Sequence, residues 1–251
     1  MYLDVPDFET LVTGEVPVSH EETGSPGPTR FSLGFRDRDR PAQRGSTTVT
    51  SPISRGFRGR RPATAADRLP PGQYWTNDFP VLSAEPTPHT PLAKWSFTVR
   101  GAVDHPTTWT WEEFTNLPRM TVTVDIHCVT KWSKLDTVWT GVSLDVLLEH
   151  AGVMPNARFL TAWSDGGYTT NLPLEAVTGG KAWVAFEYGG EPLHPEHGGP
   201  ARLLVPKLYF WKSAKWVRGI ELRERDEPGF WEVNGYNNSG DPWKEQRYQG
   251  D

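Results

Sequence analysis

An alternating segment that ends in the chain's only cysteine constrains the fold more than any other feature of the sequence. From residue 121 to 133 the chain reads TVTVDIHCVTKWS. Successive side chains of a β-strand point to opposite faces, so one face of this strand carries three apolar residues and the cysteine: Val122, Val124, Ile126 and Cys128. The pattern predicts a strand packed on a core, with Cys128 at the start of a polar loop. Loops on a rigid scaffold are common places for functional side chains.

Strand patterns dominate the chain from residue 70 onward. Alternation predicts strands over 95–100, 159–163, 181–188 and 217–223. Helical spacing is clear only over 140–152, where Ser143 can cap the first turn and Gly152 can end the helix, and a shorter helix over 109–117 can be capped by Thr110. Irregular segments rich in proline and glycine connect these elements. The predicted fold class is α+β, mainly β, with mixed sheets, few helices and long loops.

The N-terminal part of the chain has a different composition. Residues 1–69 contain none of the 12 tryptophans and are rich in Gly, Pro, Ser, Thr and Arg without strand or helix periodicity. Such a composition cannot bury enough apolar surface to offset the entropy of ordering. The sequence therefore predicts a disordered segment over 1–69 and one folded domain over 70–251.

Charge and cysteine content exclude several classes of function. The net charge of −5 and the pI near 5.8 argue against general binding to nucleic acid or a membrane surface. No apolar stretch of about 18 residues predicts a membrane span. The acidic opening MYLDVPDFET lacks the basic and apolar regions of a secretion signal, so we expect a cytoplasmic protein. A single cysteine cannot form an internal disulfide or a zinc site built on several cysteines.

Residue type alone leaves the role of Cys128 open. A lone cysteine is most often a small buried hydrophobe. Here His127, Lys131 and Lys134 flank it and can favour the thiolate, which is the reactive and metal-binding form. A structural thiol, a metal ligand and the nucleophile of a Cys/His hydrolase are all compatible with this pattern.

A second concentration of charge lies in the segment GGPARLLVPKLYFWKSAKWVRG. Five basic residues within seventeen positions alternate with aromatic residues: Arg202, Lys207, Lys212, Lys215 and Arg218. One interpretation is an anion pocket, in which arginine forks a phosphate, lysine adds charge, and the backbone amides of Ser213 and Ala214 complete the contact. The other is a solvated charged face over an aromatic core.

Three ordered motifs carry a resemblance to a known family. The runs IHCVTKWSKLDTVWTGVSLDVLL, SDGGYTTNLPL and EHGGPARLLVPKLYFWKSAKWV resemble the molybdopterin domain of the sulfite oxidase superfamily. Within it, the chain is most similar to the bacterial sulfite-oxidase-like proteins that include the catalytic subunit of protein-methionine-sulfoxide reductase. The resemblance covers about residues 71–243. It implies an oxidoreductase that uses the molybdenum–molybdopterin cofactor (Moco).

The resemblance also implies a set of site residues. Cys128 would be the protein thiolate on molybdenum, which fits the preference of a metal in a sulfur-rich sphere for a soft ligand. The pterin and its phosphate would be bound by residues of the third motif: His197, Arg202, Ser213, Ala214 and Lys215. Looser matches add further contacts to the pterin, the cofactor channel or the pocket wall: Asn77, His127, Asp165 and Tyr168. For His127, an outward-facing strand residue is the alternative.

Two departures from the family pattern bear on the substrate. Sulfite oxidases carry a Gly-Asn-Arg-Arg type run after the cysteine and an Arg-Asn-His type run in the early arm, where this chain has VTKWS and TNDF. Lysine does not replace the bidentate grip of arginine on an oxyanion. We therefore expect two-electron, oxygen-atom-transfer chemistry on a small oxide or oxoanion, with sulfite disfavoured and with an external electron donor or acceptor. The alternatives are a non-redox module that binds an anion or pterin on the same scaffold and, third, the Cys/His hydrolase.

Overall fold

Two mixed β-sheets organise residues 66–251, the part of the chain that the computed structural model describes. The first sheet contains β1 (Tyr74–Trp75), β4 (Arg119–His127), β5 (Trp132–Ser143), β8 (Trp183–Tyr188), β9 (Glu191–Pro192) and β10 (Arg202–Leu204). The second contains β2 (Ser96–Gly101), β3 (Thr107–Thr110), β6 (Phe159–Ser164), β7 (Thr169–Pro173) and β11 (Val217–Arg223). The expectation for residues 1–69 lies outside the described residues, apart from the last four.

The strand order makes both sheets mixed. In the first sheet the order is β1-β5-β8-β10, with β4 also paired to β5 and β9 to β8. In the second the order is β3-β2-β11-β6-β7. The pairs β1–β5 and β2–β11 are parallel, and the other pairs are antiparallel. Each sheet therefore has one parallel junction, which needs a long connection rather than a hairpin.

Helices are short and few among the described residues. They are α1 (Trp111–Thr115), α2 (Leu144–Ala151), α3 (Leu174–Val177) and α4 (Phe230–Val233). Single 3₁₀ turns lie at Ala66–Arg68, Leu92–Lys94, Asp165–Gly167, Pro195–His197, Phe210–Lys212 and Pro242–Lys244. The predicted α+β, mainly β fold class is confirmed. None of these helices is long and apolar enough to cross a bilayer.

The predicted helix caps are present. Thr110 and Glu113 form a reciprocal capping box at the start of α1, in which each side chain accepts from the other's backbone N–H. Ser143 Oγ accepts from the backbone N–H of Asp145 at the start of α2, and Gly152 ends that helix with a φ of 68°. Local side chains therefore determine where both helices begin.

One segment was predicted wrongly. Cys128 was expected to begin a polar loop, 140–152 was assigned to one helical segment with Ser143 as its cap, and no strand was predicted between them. Instead, residues 128–131 form a tight turn and the chain returns as β5, a strand of twelve residues that includes Thr140 to Ser143. Periodicity missed β5 because the strand changes face at irregular pairings with both neighbours, so buried residues do not simply alternate along it.

The buried residues form two clusters. The larger contains residues of both sheets and of α1 and α2, and its members Phe97, Phe114, Leu144, Leu147 and Leu160 are fully buried. The smaller surrounds Cys128 and is dominated by aromatic side chains, among them Trp132, Trp139, Trp211 and Trp231. Bulky, stiff rings thus surround the only thiol.

A buried ion pair joins the 3₁₀ turn at 210–212 to α4. Lys212 Nζ lies 2.6 Å from Glu232 Oε1, and the two side chains are 0% and 1% exposed. Lys212 also donates to the carbonyl of Asn171 at 2.9 Å, and Trp211 Nε1 donates to Glu232 at 2.9 Å. This network attaches the C-terminal arm to the body of the protein. Removing one partner would leave the other charge buried and unpaired.

We expect Lys212→Met to lower the free energy of unfolding by about 3–5 kcal/mol, because Glu232 is left as an uncompensated buried charge. The double variant Lys212→Met/Glu232→Gln should recover more than half of that loss. Urea unfolding of the apoprotein followed by tryptophan fluorescence measures both. Lys244→Met, at a lysine whose side chain is 70% exposed, is the control and should change stability little. A loss below about 1 kcal/mol in the single variant would contradict this account.

Candidate active site

Cys128 occupies the turn that joins β4 to β5. Its backbone N–H donates to the carbonyl of Trp132 at 2.9 Å, and its carbonyl accepts from the N–H of Lys131 at 3.0 Å. Thr130 Oγ1 donates to the sulfur at 3.1 Å. Burial raises the pKa of the thiol, and the hydrogen bonds from Thr130 partly oppose that rise. The sulfur is therefore held in place with one donor already directed at it, as suits a thiolate that acts as a ligand.

A pocket lies over the sulfur, and segments far apart in sequence form its walls. They are the arm after β1, the Cys128 turn, Tyr168 just before β7, the start of β10 and the loop before it, the loop before β11, and the C-terminal arm. Aromatic rings make up much of the lining: Phe79, Trp132, Tyr168, Phe210, Trp211, Trp216, Trp231 and Tyr236. A pocket with apolar walls and a few polar groups is typical of small-molecule and cofactor sites.

Arg202 supplies a buried cation to this pocket. Its side chain is 1% exposed, and it donates to the carbonyls of His197 and Ser213, both at 2.7 Å. Its guanidinium carbon lies 3.9 Å from the ring centre of Phe210. Burial lowers the pKa of Arg202 to about 9. No carboxylate within residues 66–251 forms an ion pair with it. A buried cation with neutral partners favours an anionic ligand.

Lys215 and His197 stand beside Arg202. Lys215 Nζ donates to the carbonyls of Leu82 and Glu196, both at 2.7 Å, and burial, followed by the charge of Arg202, lowers its pKa to about 7. The ring of His197 stacks on Phe79 with centroids 3.9 Å apart. Burial and the two nearby cations lower the pKa of His197 to about 4, so its imidazole is neutral at pH 7. The positive charge of the pocket therefore comes from Arg202 and Lys215.

The structure brings seven of the ten predicted site residues to this pocket. They are Cys128, Tyr168, His197, Arg202, Ser213, Ala214 and Lys215. The three others do not line it. Asn77 is exposed, and its carbonyl accepts from Lys134. His127 is buried with Nδ1 2.8 Å from Ser133 Oγ, and Asp165 pairs with Arg218 at 3.0 Å. His127 is thus not outward-facing, and cofactor contacts of all ten residues remain predictions.

Sequence reasoning missed several residues that line the pocket. Phe79 and Trp132 lie within the quoted runs TNDF and VTKWS, so their neighbourhood was marked although their side chains were not. Glu85 lies in the Pro-punctuated arm, and no spacing or motif marks it. Trp231 belongs to the C-terminal arm, where the sequence marks no site residue. Long-range packing, rather than local pattern, places all four in one cavity.

The sequence matches a family model over residues 84–231, described as the oxidoreductase molybdopterin binding domain. This stretch is more than half of the chain and contains most of the residues that line the pocket. The chain belongs to this family. It is therefore a molybdenum-cofactor-dependent oxidoreductase, as the three motifs predicted.

Individual relatives agree with the family match. The chain is 45% identical over 196 residues to the uncharacterized oxidoreductase YuiH of Bacillus subtilis, covering 78% of this chain and 99% of that protein. It is 26% identical to a sulfite oxidase of Arabidopsis thaliana over 58% of this chain, which spans 46% of that enzyme's length. The crystal structure of the sulfane dehydrogenase SoxCD from Paracoccus pantotrophus is similar with a TM-score of 0.51 and 27% identity, covering 56% of this chain and 41% of that chain.

The pocket of this molybdopterin oxidoreductase has the donor set that its cofactor needs. The cofactor carries a phosphate, a pterin and sulfur ligands to the metal. Arg202 and Lys215 are buried cations suited to the phosphate, and the thiol of Cys128 is a soft ligand suited to the metal. Two buried polar atoms that line the pocket have no hydrogen-bond partner among the described residues: Glu85 Oε2 and Trp132 Nε1. Unpaired buried polar atoms in a native protein call for a ligand or water.

The lowered pKa of Lys215 predicts how the stability of the apoprotein depends on pH. An unfolded lysine titrates near 10.4, so above pH 7 the unfolded chain binds more protons than the folded one and stability rises with pH. Between pH 7 and 8.5 the free energy of unfolding should rise by on the order of 1 kcal/mol from this group. Urea unfolding at the two pH values measures it. Lys215→Met should abolish this rise, and an unchanged pH dependence in that variant would contradict the assignment.

Proposed function

We propose that this protein catalyses oxygen-atom transfer to or from a small oxide, with Cys128 as the protein ligand of molybdenum. The observation that carries the proposal is the position of the only thiol in the floor of a pocket that also holds a buried, unpaired arginine. When bound, the cofactor supplies two-electron oxygen-atom transfer. The protein supplies ligation, orientation and electrostatics.

Each polar residue of the pocket has a role in this proposal. Thr130 directs a hydrogen bond at the sulfur of Cys128 and so helps to keep it as a thiolate once a metal replaces the proton. Arg202 and Lys215 hold the cofactor's phosphate, together with the segment Ser213 to Lys215. His197 is stacked on Phe79 and neutral at pH 7, so it can present a flat, hydrogen-bonding face to the pterin.

The surroundings of Cys128 favour a neutral oxide over sulfite. Within the described residues, the cations that line the pocket are Arg202 and Lys215, and both already bind carbonyl groups. The residues after the sulfur contribute Val129 and Trp132, not arginine. The indole N–H of Trp132 is buried and unpartnered, so it is available to donate to the oxygen of a neutral oxide such as a sulfoxide. Reducing an oxide consumes two electrons and forming one releases two, so we also propose an external electron donor or acceptor as partner.

Metal ligation by Cys128 can be measured directly. Wild-type protein, produced in cells that make the cofactor, should contain near-stoichiometric molybdenum and pterin by elemental analysis and by fluorescence of the oxidised pterin. X-ray absorption of Cys128→Ala should show one sulfur ligand fewer at molybdenum, and turnover of the oxide should be lost. Wild-type protein without molybdenum and pterin, or an unchanged sulfur count in the variant, would refute the proposal.

The role of Trp132 predicts an effect on neutral substrates. Trp132→Phe removes the N–H but keeps an aromatic ring beside Phe79 and Phe210, whose centroids each lie 6.2 Å from that of Trp132. A lost hydrogen bond of about 1 kcal/mol should lower kcat/KM for dimethyl sulfoxide about fivefold. The matched control is Trp183→Phe, at a buried tryptophan outside the pocket lining. Equal kcat/KM in wild type and Trp132→Phe would rule out the hydrogen bond.

A further inference from the structure

Glu85 is a pocket carboxyl that the proposed chemistry does not use. It lies in the arm between β1 and β2, and it lines the same pocket as Cys128. Its Oε2 is buried and has no hydrogen-bond partner within residues 66–251. Its backbone is held by Ser83, whose Oγ donates to the carbonyl of Glu85 at 2.8 Å and accepts from its N–H at 3.4 Å. The carboxyl is therefore presented by a locally fixed segment.

The turn that packs against Glu85, next to the pocket residue Tyr168, leaves space for this carboxyl only because it contains a glycine. A Cβ atom on Gly166 would lie 2.4 Å from Glu85 Oε2, closer than side-chain atoms approach one another. Gly166 also has a φ of 87°, which an L side chain rarely adopts. The turn at Asp165–Gly167 is thus shaped around the carboxyl, while Asp165 itself is occupied by Arg218 and Thr90.

The charges around Glu85 indicate what it can bind. No cation in the described part of the chain forms an ion pair with it. Burial raises the pKa of Glu85, and a backbone hydrogen bond with Tyr168 opposes this rise only in part. An unpaired, partly desolvated carboxyl is costly unless a ligand donates hydrogen bonds to it. The fitting partner is a neutral group with N–H donors.

The pterin ring of the cofactor has such a group. Its 2-amino group and the adjacent ring N3–H form two parallel donors, whose spacing matches the two oxygens of a carboxylate, as in the fork of an arginine. We propose that Glu85 binds this amino edge of the pterin. The inference rests on the cofactor binding that underlies the proposed function. Glu85 would then bind one end of the cofactor, the amino edge of the pterin, and Arg202 and Lys215 would bind the other end, the phosphate.

Release of the pterin from the loaded protein tests this role without an activity assay. In Glu85→Gln the side chain keeps one oxygen that can accept a hydrogen bond. Its other oxygen is replaced by an NH₂ group, which can only donate and so cannot bind a pterin N–H. The loss of a charged hydrogen bond should speed release about 10- to 100-fold at a fixed temperature below unfolding, followed by fluorescence of the oxidised pterin. Glu85→Asp keeps the carboxylate, so its rate of pterin release should lie between those of wild type and Glu85→Gln. Glu191→Gln, at an exposed glutamate outside the pocket lining, is the matched control and should release pterin like wild type.

A second measurement separates binding from folding. Glu85 Oε2 has no hydrogen-bond partner within residues 66–251, and glutamine keeps an oxygen that can accept from the backbone of Tyr168, so the urea unfolding of Glu85→Gln apoprotein should match that of wild type. Pterin release at the wild-type rate in Glu85→Gln would overturn the proposal, even if turnover were lost, because the carboxyl would then act on the reaction and not on the pterin. Faster release accompanied by an equally destabilised apoprotein would also overturn it. Wild-type protein that lacked pterin would instead refute the proposed function.

Discussion

The cost of burying the guanidinium of Arg202 is the constraint on which the site depends. A buried cation is expensive unless its hydrogen bonds are satisfied and a counter-charge is close. Here the carbonyls of His197 and Ser213 and the ring of Phe210 satisfy the guanidinium, whereas no carboxylate within residues 66–251 provides a counter-charge. Those contacts fix the loop before β10 against the loop before β11. The protein thus builds a positive site whose charge favours an anionic ligand.

The same logic distributes charge across the rest of the pocket. Lys212 carries the neighbouring buried cation of the chain, but Glu232 neutralises it, and this pair serves to attach the C-terminal arm. Arg202 and Lys215 line the cavity, and no carboxylate in the described part of the chain forms an ion pair with either, so their charge is available to a ligand. Lys212 and Lys215 are three residues apart but have different roles. Lys212 pairs with the buried carboxylate of Glu232, whereas Lys215 donates to the carbonyls of Leu82 and Glu196.

Local pattern was sufficient for those features that depend on local interactions. The caps at Thr110 and Ser143, the left-handed Gly152 and the strand over 217–223 follow from short-range hydrogen bonding and alternation. The motifs also led to seven residues that converge on the pocket. β5 was missed because its irregular pairings break the two-residue period. Glu85 was not found because long-range packing determines its position, including its close approach to Gly166, and no local pattern connects these two residues.

The arm between β1 and β2 gains its importance from the contacts made by its irregular backbone. Leu82 offers a carbonyl to Lys215, Phe79 stacks on His197, and Glu85 packs against Gly166. A regular strand would have used its carbonyls in a ladder and alternated its side chains between two faces. An irregular arm can direct a carbonyl, a ring and a carboxyl into one cavity within seven residues. The proline-rich composition that hides this segment from periodicity analysis is therefore also what allows it to line the cofactor pocket.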